Sequence, residues 1–196
     1  MNAFLYTMQK KKLFIIVWCI LLPLFLLLLS YKLTLLLFPV TIAQAETFSY
    51  LSGQGRLNMN YTSLEMSHLD DVKKVMDTIN FLLYGLLIIV LIIITSQWKK
   101  KKFLVKLCQD GGFSTIGAVI LLSLAIILSF NITFTLFHLL FFPQGNWQFP
   151  ADSLLIQTFP IEFFVRMSTW IALLSFAEGS IFILLSYFLP DESHRN

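Results

Sequence analysis

Charged residues are scarce in this sequence. Lys and Arg together number 14 and Asp and Glu number 11 in a chain of 196 residues, so 13% of the chain is charged while 57% is hydrophobic. A typical soluble domain is about 25% charged and about 45–50% apolar. The polar residues here are too few to cover a water-exposed surface. Together with a mean hydropathy of +0.78, this composition indicates an integral membrane protein.

Several catalytic and cofactor-binding motifs are also absent. The two cysteines, Cys19 and Cys108, form no C-x-x-C pair, and no Cys/His group has metal-ligand spacing. The pattern G-x-S-x-G, the glycine-rich loops that bind phosphates or dinucleotides, the H-E-x-x-H motif and basic nucleic-acid-binding stripes do not occur. We therefore predict no cofactor, no bound metal and no nucleic-acid partner.

Four apolar runs predict four membrane-spanning helices, because a helix needs about 20 residues to cross a hydrocarbon core of roughly 30 Å. The predicted spans cover residues 13–38, 81–98, 113–138 and 159–189. The segments between them, residues 39–80 and 139–158, are predicted to be partly helical loops on one side of the membrane. The expected fold is an all-α polytopic membrane protein, with residues 1–196 as a single integral membrane domain.

The distribution of lysines predicts the orientation of the chain. Residues 10–12 are all Lys and precede the first run, and residues 99–102 and 106 are Lys and lie between the second and third runs. In the loops on the other side, basic residues are offset by acidic ones. The positive-inside rule therefore places both termini in the cytoplasm and both loops outside. The same lysines are expected to contact anionic membrane lipids.

The beginning of the chain has some features of a cleavable signal peptide. A basic start and an apolar run are followed by Ala43-Gln44-Ala45, which has the form of a cleavage site. The apolar run is about twice the usual length of 7–15 residues. We therefore expect the first span to be retained.

The first outer loop contains a helix start and a histidine. Thr62 and Glu65 have the spacing of a capping box, which predicts a helix from about residue 62 to 79 that can continue into the second span. His68 lies on the apolar face of that helix, and Glu65 and Asp71 are within reach of its ring on adjacent turns. A lone histidine in such a place is more often a packed core residue than a catalytic one.

A second histidine, His138, lies near the outer end of the predicted third span. With Asn131 and Thr135 it forms a polar stripe at helical spacing. Polar side chains within a span usually face other helices or a water-filled cavity. Glu178 lies deeper in the fourth span, and we expect it to serve helix packing first. The third histidine, His194, is in the tail, and we assign it no role.

Further polar candidates lie near His138. Asn146 and Trp147 follow a predicted tight turn and could orient a substrate headgroup, and Arg166 lies near the same boundary. Arg166 either reaches the headgroups as a surface anchor or donates hydrogen bonds to a phosphate or an oxyanion. The aromatic residues at 141, 142 and 149 are interpreted as interface anchors.

Three blocks of this sequence resemble a bacterial family of four-span membrane proteins. Residues 65–73, E-M-S-H-L-D-D-V-K, resemble its E-x-x-H-M-x-D-V-K stretch, with Leu69 at the place of the methionine. Residues 137–147, F-H-L-L-F-F-P-Q-G-N-W, resemble its F-H-x-x-F-F-x-x-x-x-W block. Residues 152–164 resemble its D-x-L-I-x-x-x-P-x-x-F continuation, whereas residues 43–61 look short for the family. That family includes the lipoprotein intramolecular transacylase of low-GC Gram-positive bacteria.

The resemblance implies an acyltransferase of the bacterial plasma membrane. Such enzymes move the sn-2 acyl chain of the diacylglyceryl-modified N-terminal cysteine of a lipoprotein to its α-amine, which gives the lyso-form N-acyl lipoprotein. On this hypothesis the substrate is the diacylated lipoprotein N-terminus, and the active site faces outward. His68 and His138 are the acid and base in either order, Asp71 or Glu65 orients His68, and Asn146, Trp147 and Arg166 support them. The alternatives are a non-catalytic assembly or accessory subunit and a lipid hydrolase or acyltransferase with another substrate.

Overall fold

The computed structural model describes residues 2–189, and their side chains from residue 8 onward. His194 lies outside the described residues. Every regular element in the described part of the chain is helical, which confirms the predicted fold class. The helices are α1 (Asn2–Leu37), α2 (Ile42–Leu51), α3 (Ser63–Gln97), α4 (Lys101–Leu128), α5 (Phe130–Phe141), α6 (Leu154–Thr158) and α7 (Ile161–Phe188).

Four of these helices, α1, α3, α4 and α7, are long and apolar enough to cross a membrane. Many of their large apolar side chains are exposed, as in Leu121 at 70% and Ile127 at 77%. Exposed apolar side chains of this kind suit a helix surface that faces lipid. The helix predicted from Thr62 merges with the second span, because α3 is continuous from Ser63 to Gln97.

The predicted third span, residues 113–138, needs correction. Helix α4 begins at Lys101 and ends at Leu128, and Ser129 has φ −161° and ψ 89°, outside the helical region. Ser129, Asn131 and Thr133 all favour local hydrogen bonds over a continuous helix, and the Thr133 hydroxyl donates to the Ala125 and Ser129 carbonyls. The chain then forms a separate helix, α5, which carries His138.

The packing divides the chain into two units. Unit 1 comprises the described parts of Met1–Leu33, Leu83–Ser123 and Ile171–Asn196. Unit 2 comprises Thr34–Leu82 and Leu124–Trp170. Unit 2 contains both candidate histidines, so the whole candidate site belongs to one unit.

Unit 1 is a packed group of helix segments. Its buried core includes Trp18 and Leu22 of α1 and Leu107 of α4. The Trp18 indole nitrogen donates to the Leu107 carbonyl at 2.8 Å, which satisfies a polar group that burial would otherwise leave unpaired.

A short polar chain joins α1 to α7 within unit 1. The Ser30 hydroxyl donates to the Glu178 carboxylate at 3.0 Å, and the Ser175 hydroxyl donates to Ser30 Oγ at 2.8 Å. Hydrogen bonds between spans stabilise helix packing in lipid. These contacts agree with the packing role expected for Glu178.

Unit 2 is built on shorter elements around a second core. Thr41 and Gln44 form a capping box that opens α2, and the Gln44 side-chain amide donates to the Thr158 carbonyl at 2.8 Å. The Ser153 hydroxyl accepts from the Ile156 backbone N–H and starts α6. The buried apolar side chains of this unit are Phe38, Leu51, Leu69, Leu155, Phe159, Phe163 and Met167.

Close contact between α4 and α7 in unit 1 depends on Gly112, which gives a testable prediction. A Cβ at Gly112 would lie 2.7 Å from the backbone oxygen of Gly179 and 2.6 Å from Ile183 Cγ1. We expect Gly112→Ala to lower the free energy of unfolding by about 1–3 kcal/mol, the usual cost of overpacking. Thermal unfolding of the purified protein in detergent measures this loss.

The matched control is Gly117→Ala in the same helix, because a Cβ there would meet nothing within 4 Å. This control should leave stability unchanged or raise it by up to about 1 kcal/mol through better helix propensity. Equal unfolding temperatures for the two variants would show that α4 and α7 do not pack this closely.

Candidate active site

His68 is positioned by the capping box that begins α3. The Thr62 backbone N–H donates to Glu65 Oε2 at 2.7 Å, and the Glu65 backbone N–H donates to Thr62 Oγ1 at 3.3 Å. This reciprocal pair fixes the first turn of the helix. His68 follows three residues after Glu65, with only 7% of its surface exposed.

Glu65 also connects α3 to the second loop. Its other carboxylate oxygen, Oε1, accepts from the Leu155 backbone N–H at 2.8 Å. The side chain is 1% exposed. A buried carboxylate is tolerated when its oxygens accept several hydrogen bonds, so one side chain fixes the starts of both α3 and α6.

His138 lies on α5 with its ring held by its own helix. Nδ1 lies 2.8 Å from the Phe134 carbonyl oxygen. A carbonyl can only accept, so Nδ1 carries the hydrogen in this contact and Nε2 keeps its lone pair when the ring is neutral. Burial lowers the pKa of His138, and the contact with Phe134 opposes that effect only in part, which favours the neutral ring at neutral pH.

The two histidines face each other within unit 2. Their ring centroids are 6.2 Å apart and their planes differ by 23°. Both side chains are 7% exposed. The fold therefore brings together two residues that are 70 positions apart in the sequence.

Aromatic side chains surround the histidine pair. The Phe142 centroid lies 4.7 Å from that of His68 and 5.5 Å from that of His138. Trp147 lies 4.8 Å from His138, and Phe149 lies 5.7 Å from His68, again between centroids. The interpretation of residues 142 and 149 as interface anchors is therefore wrong: their rings pack against the candidate histidines.

Asp71 holds the loop that carries these aromatic residues. Its Oδ2 accepts from Gln144 Nε2 at 2.7 Å and from Asn146 Nδ2 at 2.8 Å. Asn146 Nδ2 also donates to Ser67 Oγ at 3.3 Å. Between the two amide side chains, Gly145 has φ +80°, a conformation that favours glycine, so the turn presents both amides to one carboxylate.

The expected direct contact between His68 and a carboxylate is not formed. Among the described residues, His68 Nδ1 is buried and has no hydrogen-bond partner. Glu65 is occupied by Thr62 and Leu155, and Asp71 by the loop amides and by Lys74 at 2.9 Å. The described contacts therefore give each carboxylate an indirect part: Glu65 holds backbone N–H groups at two helix starts, and Asp71 holds side-chain amides of the loop beside the ring.

Comparison with known proteins identifies the family. The sequence profile of the lipoprotein intramolecular transacylase Lit matches residues 40–164, well over half of the chain. The chain belongs to the lipoprotein intramolecular transacylase (Lit) family. It is accordingly a transacylase and an integral membrane protein. The matched segment includes both histidines, Asp71 and the aromatic loop.

Solved structures of a Lit protein have the same fold. The in meso structure of the membrane integral lipoprotein intramolecular transacylase Lit from Bacillus cereus is 24% identical and has a TM-score of 0.75, covering 92% of this chain and 96% of that chain. A variant of that protein with a histidine replaced by alanine is 22% identical at a TM-score of 0.73, with coverage of 96% and 97%. The search of curated proteins gave no match.

Arg166 is a candidate whose described contact is with an aromatic ring and not with a histidine. It lies on α7, exposed, with its guanidinium carbon 5.6 Å from the centroid of Phe38. Within the part of the chain that the structure describes, no hydrogen bond or ring contact joins Arg166 to His68 or His138. No group of three or more His, Cys, Asp or Glu side chains suited to a metal ion occurs among the described residues.

Several contributors to the site were missed by sequence reasoning. Phe134 lies 4.0 Å from the His138 ring between centroids, and Phe142 is only 3% exposed. Gln144 donates a hydrogen bond to Asp71, and Ser67 accepts one from Asn146. The proline-glycine turn next to Gln144 was the available signal, since a tight turn places flanking side chains on one side.

Glu65 gives a prediction about how the site is held. Replacing it with alanine leaves the Thr62 and Leu155 backbone N–H groups without their carboxylate, and each buried unpaired donor costs about 1–3 kcal/mol. We expect Glu65→Ala to lower the free energy of unfolding by about 1–3 kcal/mol, mainly through the buried Leu155 N–H, since Thr62 is exposed. Thermal unfolding in detergent, with hydrogen exchange at Leu155, reports the loss and its location.

Asp77→Ala provides the control, because Asp77 is an exposed carboxylate on the same helix. Its effect should stay within about 0.5 kcal/mol. If Glu65→Ala were as stable as this control, or if Leu155 exchanged no faster in it, the carboxylate would not be holding α3 and α6 together.

Proposed function

We propose that this protein transfers the sn-2 acyl chain of a diacylglyceryl-modified lipoprotein to the α-amine of its N-terminal cysteine. The product is the lyso-form N-acyl lipoprotein. The observation that carries this proposal is the buried pair of facing histidines, 6.2 Å apart, in a chain of the Lit family. Such a pair supplies the proton transfer and the oxyanion donor that an ester-to-amide transfer requires.

The transfer has a simple balance of bonds and protons. The amine nitrogen forms a bond to the ester carbonyl carbon, which gives a tetrahedral intermediate, and the bond from that carbon to the sn-2 oxygen then breaks. One proton leaves the amine and one reaches the departing glyceryl oxygen. Since the ester and the amine belong to one molecule, proximity is built in and no acyl-enzyme intermediate is required.

We assign His138 as the base. Its Nδ1–H is committed to the Phe134 carbonyl at 2.8 Å, so Nε2 is the nitrogen that can accept a proton from the amine. The aromatic neighbours of the ring, including Trp147 at 4.8 Å between centroids, favour the neutral form that a base needs. Trp147 thereby holds and shields the base.

We assign His68 as the hydrogen-bond donor that stabilises the oxyanion and the leaving oxygen, while protonated His138 returns to that oxygen the proton that it took from the amine. Its Nδ1 is buried without a partner among the described residues, and a buried N–H without an acceptor is rarely tolerated. The hydrogen of the neutral ring is therefore expected on Nε2, which makes that atom a donor. The two rings would then form a complementary pair, with one accepting nitrogen and one donating nitrogen.

Asp71 and Asn146 are assigned as positioning residues. Asp71 Oδ2 and the Asn146 amide make the contacts that hold the loop against α3, whereas Asp71 Oδ1 pairs with Lys74 of the same helix. Arg166 is left out of the acid–base step because it has no contact with either histidine. Its exposed guanidinium instead suits a lipid headgroup phosphate.

The orientation proposed for the protein follows its lysines. The clusters at residues 10–12 and 99–102 mark the cytoplasmic ends of the apolar runs under the positive-inside rule. His68 and the aromatic loop then belong to the extracytoplasmic side of the bacterial plasma membrane. The termini would be cytoplasmic.

The proposed chemistry predicts that each histidine is required. His68→Ala and His138→Ala should each reduce formation of the lyso-form product by at least about 100-fold, the lower range for removal of a general acid or base. The measurement is mass spectrometry of one lipoprotein N-terminus after expression in a host that lacks N-acylation. Immunoblots of the membrane fraction show that the variants accumulate.

His194→Ala is the matched control, as it removes the remaining histidine of the chain and should leave product formation unchanged. Wild-type amounts of lyso-form lipoprotein from either His68→Ala or His138→Ala would refute the acid–base assignment. An N-acyl product that keeps both glyceryl esters would contradict the intramolecular transfer itself.

The positioning role of Asp71 predicts a kinetic separation. Asp71→Ala frees the Gln144 and Asn146 amides and should lower kcat by about tenfold or more, since small misplacement of catalytic groups is costly. We expect KM to change little, because the hydrogen bonds of Asp71 go to Gln144, Asn146 and Lys74, so its proposed part is to place the loop. Detergent assays with a synthetic diacylated lipopeptide give both constants.

Lys74→Gln serves as its control. Lys74 contacts Asp71 at 2.9 Å but its side chain is 76% exposed, and exposed ion pairs contribute little. This variant should keep kcat within about twofold of wild type. A purely structural role for Asp71 would instead give a smaller active fraction, seen as a lowered unfolding temperature with kcat per folded molecule unchanged.

A further inference from the structure

Unit 1 contains a cavity that has no part in the proposed acyl transfer. Its volume is about 560 Å³, and it is lined by residues from the start of α1, the end of α3 and the start of α4. Cavities of roughly 300–1,000 Å³ are typical of small-molecule sites. This cavity is therefore large enough for a headgroup with its glycerol.

The lining of the cavity is strongly basic. Five of its eight lining residues are lysines: Lys10, Lys11, Lys100, Lys101 and Lys102. None of the eight is acidic. Two lysine clusters that are about 90 residues apart in the sequence thus converge on one volume, which favours an anionic ligand.

The same cavity has an aromatic side. Phe14 and Phe103 line it, with their ring centroids 5.7 Å apart. Next to it, the Lys101 ammonium lies 4.1 Å from the centroid of the Trp98 ring. A basic surface beside aromatic rings at the end of spanning helices suits an amphiphile, with its phosphate on the lysines and its glycerol and acyl region on the rings.

We propose that this cavity binds the headgroup of an anionic phospholipid. The lysines suit a phosphodiester anion whose headgroup carries no positive charge, as in phosphatidylglycerol. A free phosphate ester shares part of that chemistry, but it would leave the aromatic side unused. The proposal concerns unit 1 and does not depend on the function proposed for the histidines.

The test is native mass spectrometry of the full chain in neutral detergent. The purified protein is titrated with phosphatidylglycerol, with phosphatidylcholine of the same chains, and with glycerol 3-phosphate. We expect phosphatidylglycerol to bind at least about tenfold more tightly than either, because only it combines net negative charge with acyl chains. Equal binding of phosphatidylcholine, or equal binding of glycerol 3-phosphate, would overturn the proposal.

Neighbouring lysines supply matched variants. Lys11→Gln/Lys100→Gln removes two ammonium groups that line the cavity, whereas Lys12→Gln/Lys99→Gln removes two from adjacent positions that do not line it. Removal of each ammonium should weaken phosphatidylglycerol binding roughly fivefold, so the first double variant should weaken it by about 30-fold. The second should change it by less than about threefold, since more distant exposed charges are screened.

Equal weakening by the two pairs would mean that the lysines attract lipid only as a diffuse charge, which contradicts a site. Lys11→Arg/Lys100→Arg keeps the charge and guards against a folding defect in the glutamine pair. It should bind phosphatidylglycerol within about threefold of wild type, because each guanidinium still pairs with phosphate. Loss of binding in this arginine pair would also overturn the proposal.

Discussion

The candidate site depends on one buried carboxylate. Glu65 accepts hydrogen bonds from the backbones of Thr62 and Leu155, so the first turn of α3 and the start of α6 are fixed to the same side chain. His68 is one turn beyond the first of these points. Burying a carboxylate is costly unless its oxygens are satisfied, and here the required partners are backbone groups that a helix start leaves free. The hydrogen bonds that satisfy the two helix starts therefore also fix the position of His68.

A second carboxylate, Asp71, holds the loop between α5 and α6 in place. It gathers the side-chain amides of Gln144 and Asn146, and the turn between them brings Trp147 over His138. The acid–base pair thus consists of two histidine rings held by packing and by the contact of His138 with the Phe134 carbonyl. The carboxylates Glu65 and Asp71 hold the neighbouring segments. In such an apolar setting a neutral histidine is favoured over its protonated form, which suits a reaction that begins by taking a proton from an amine.

The Lit family assignment and the fold agree closely with what the composition and motifs predict. The four apolar spans and the capping box at Thr62 both appear in the structure, because each depends on local or compositional physics. The break at Ser129 did not follow from hydropathy, since the residues around it are apolar enough for a span and differ mainly in hydrogen-bonding habit. The roles of Phe142 and Phe149 were also not predicted, because an aromatic residue at a membrane boundary has the same sequence signature whether it faces lipid or a histidine.

The sequence by itself determined that this chain is a helical membrane protein, which residues are chemically capable of acid–base catalysis, and to which family it belongs. Those properties reside in composition, spacing and short motifs. Only the tertiary structure decided that His68 and His138 face each other, that Arg166 lies beside Phe38, and that lysines from two distant clusters line one cavity. The physical reason is that each of these is a contact between segments far apart in the chain. Such contacts are set by how helix faces and loop amides pack together, and not by the local pattern of either segment.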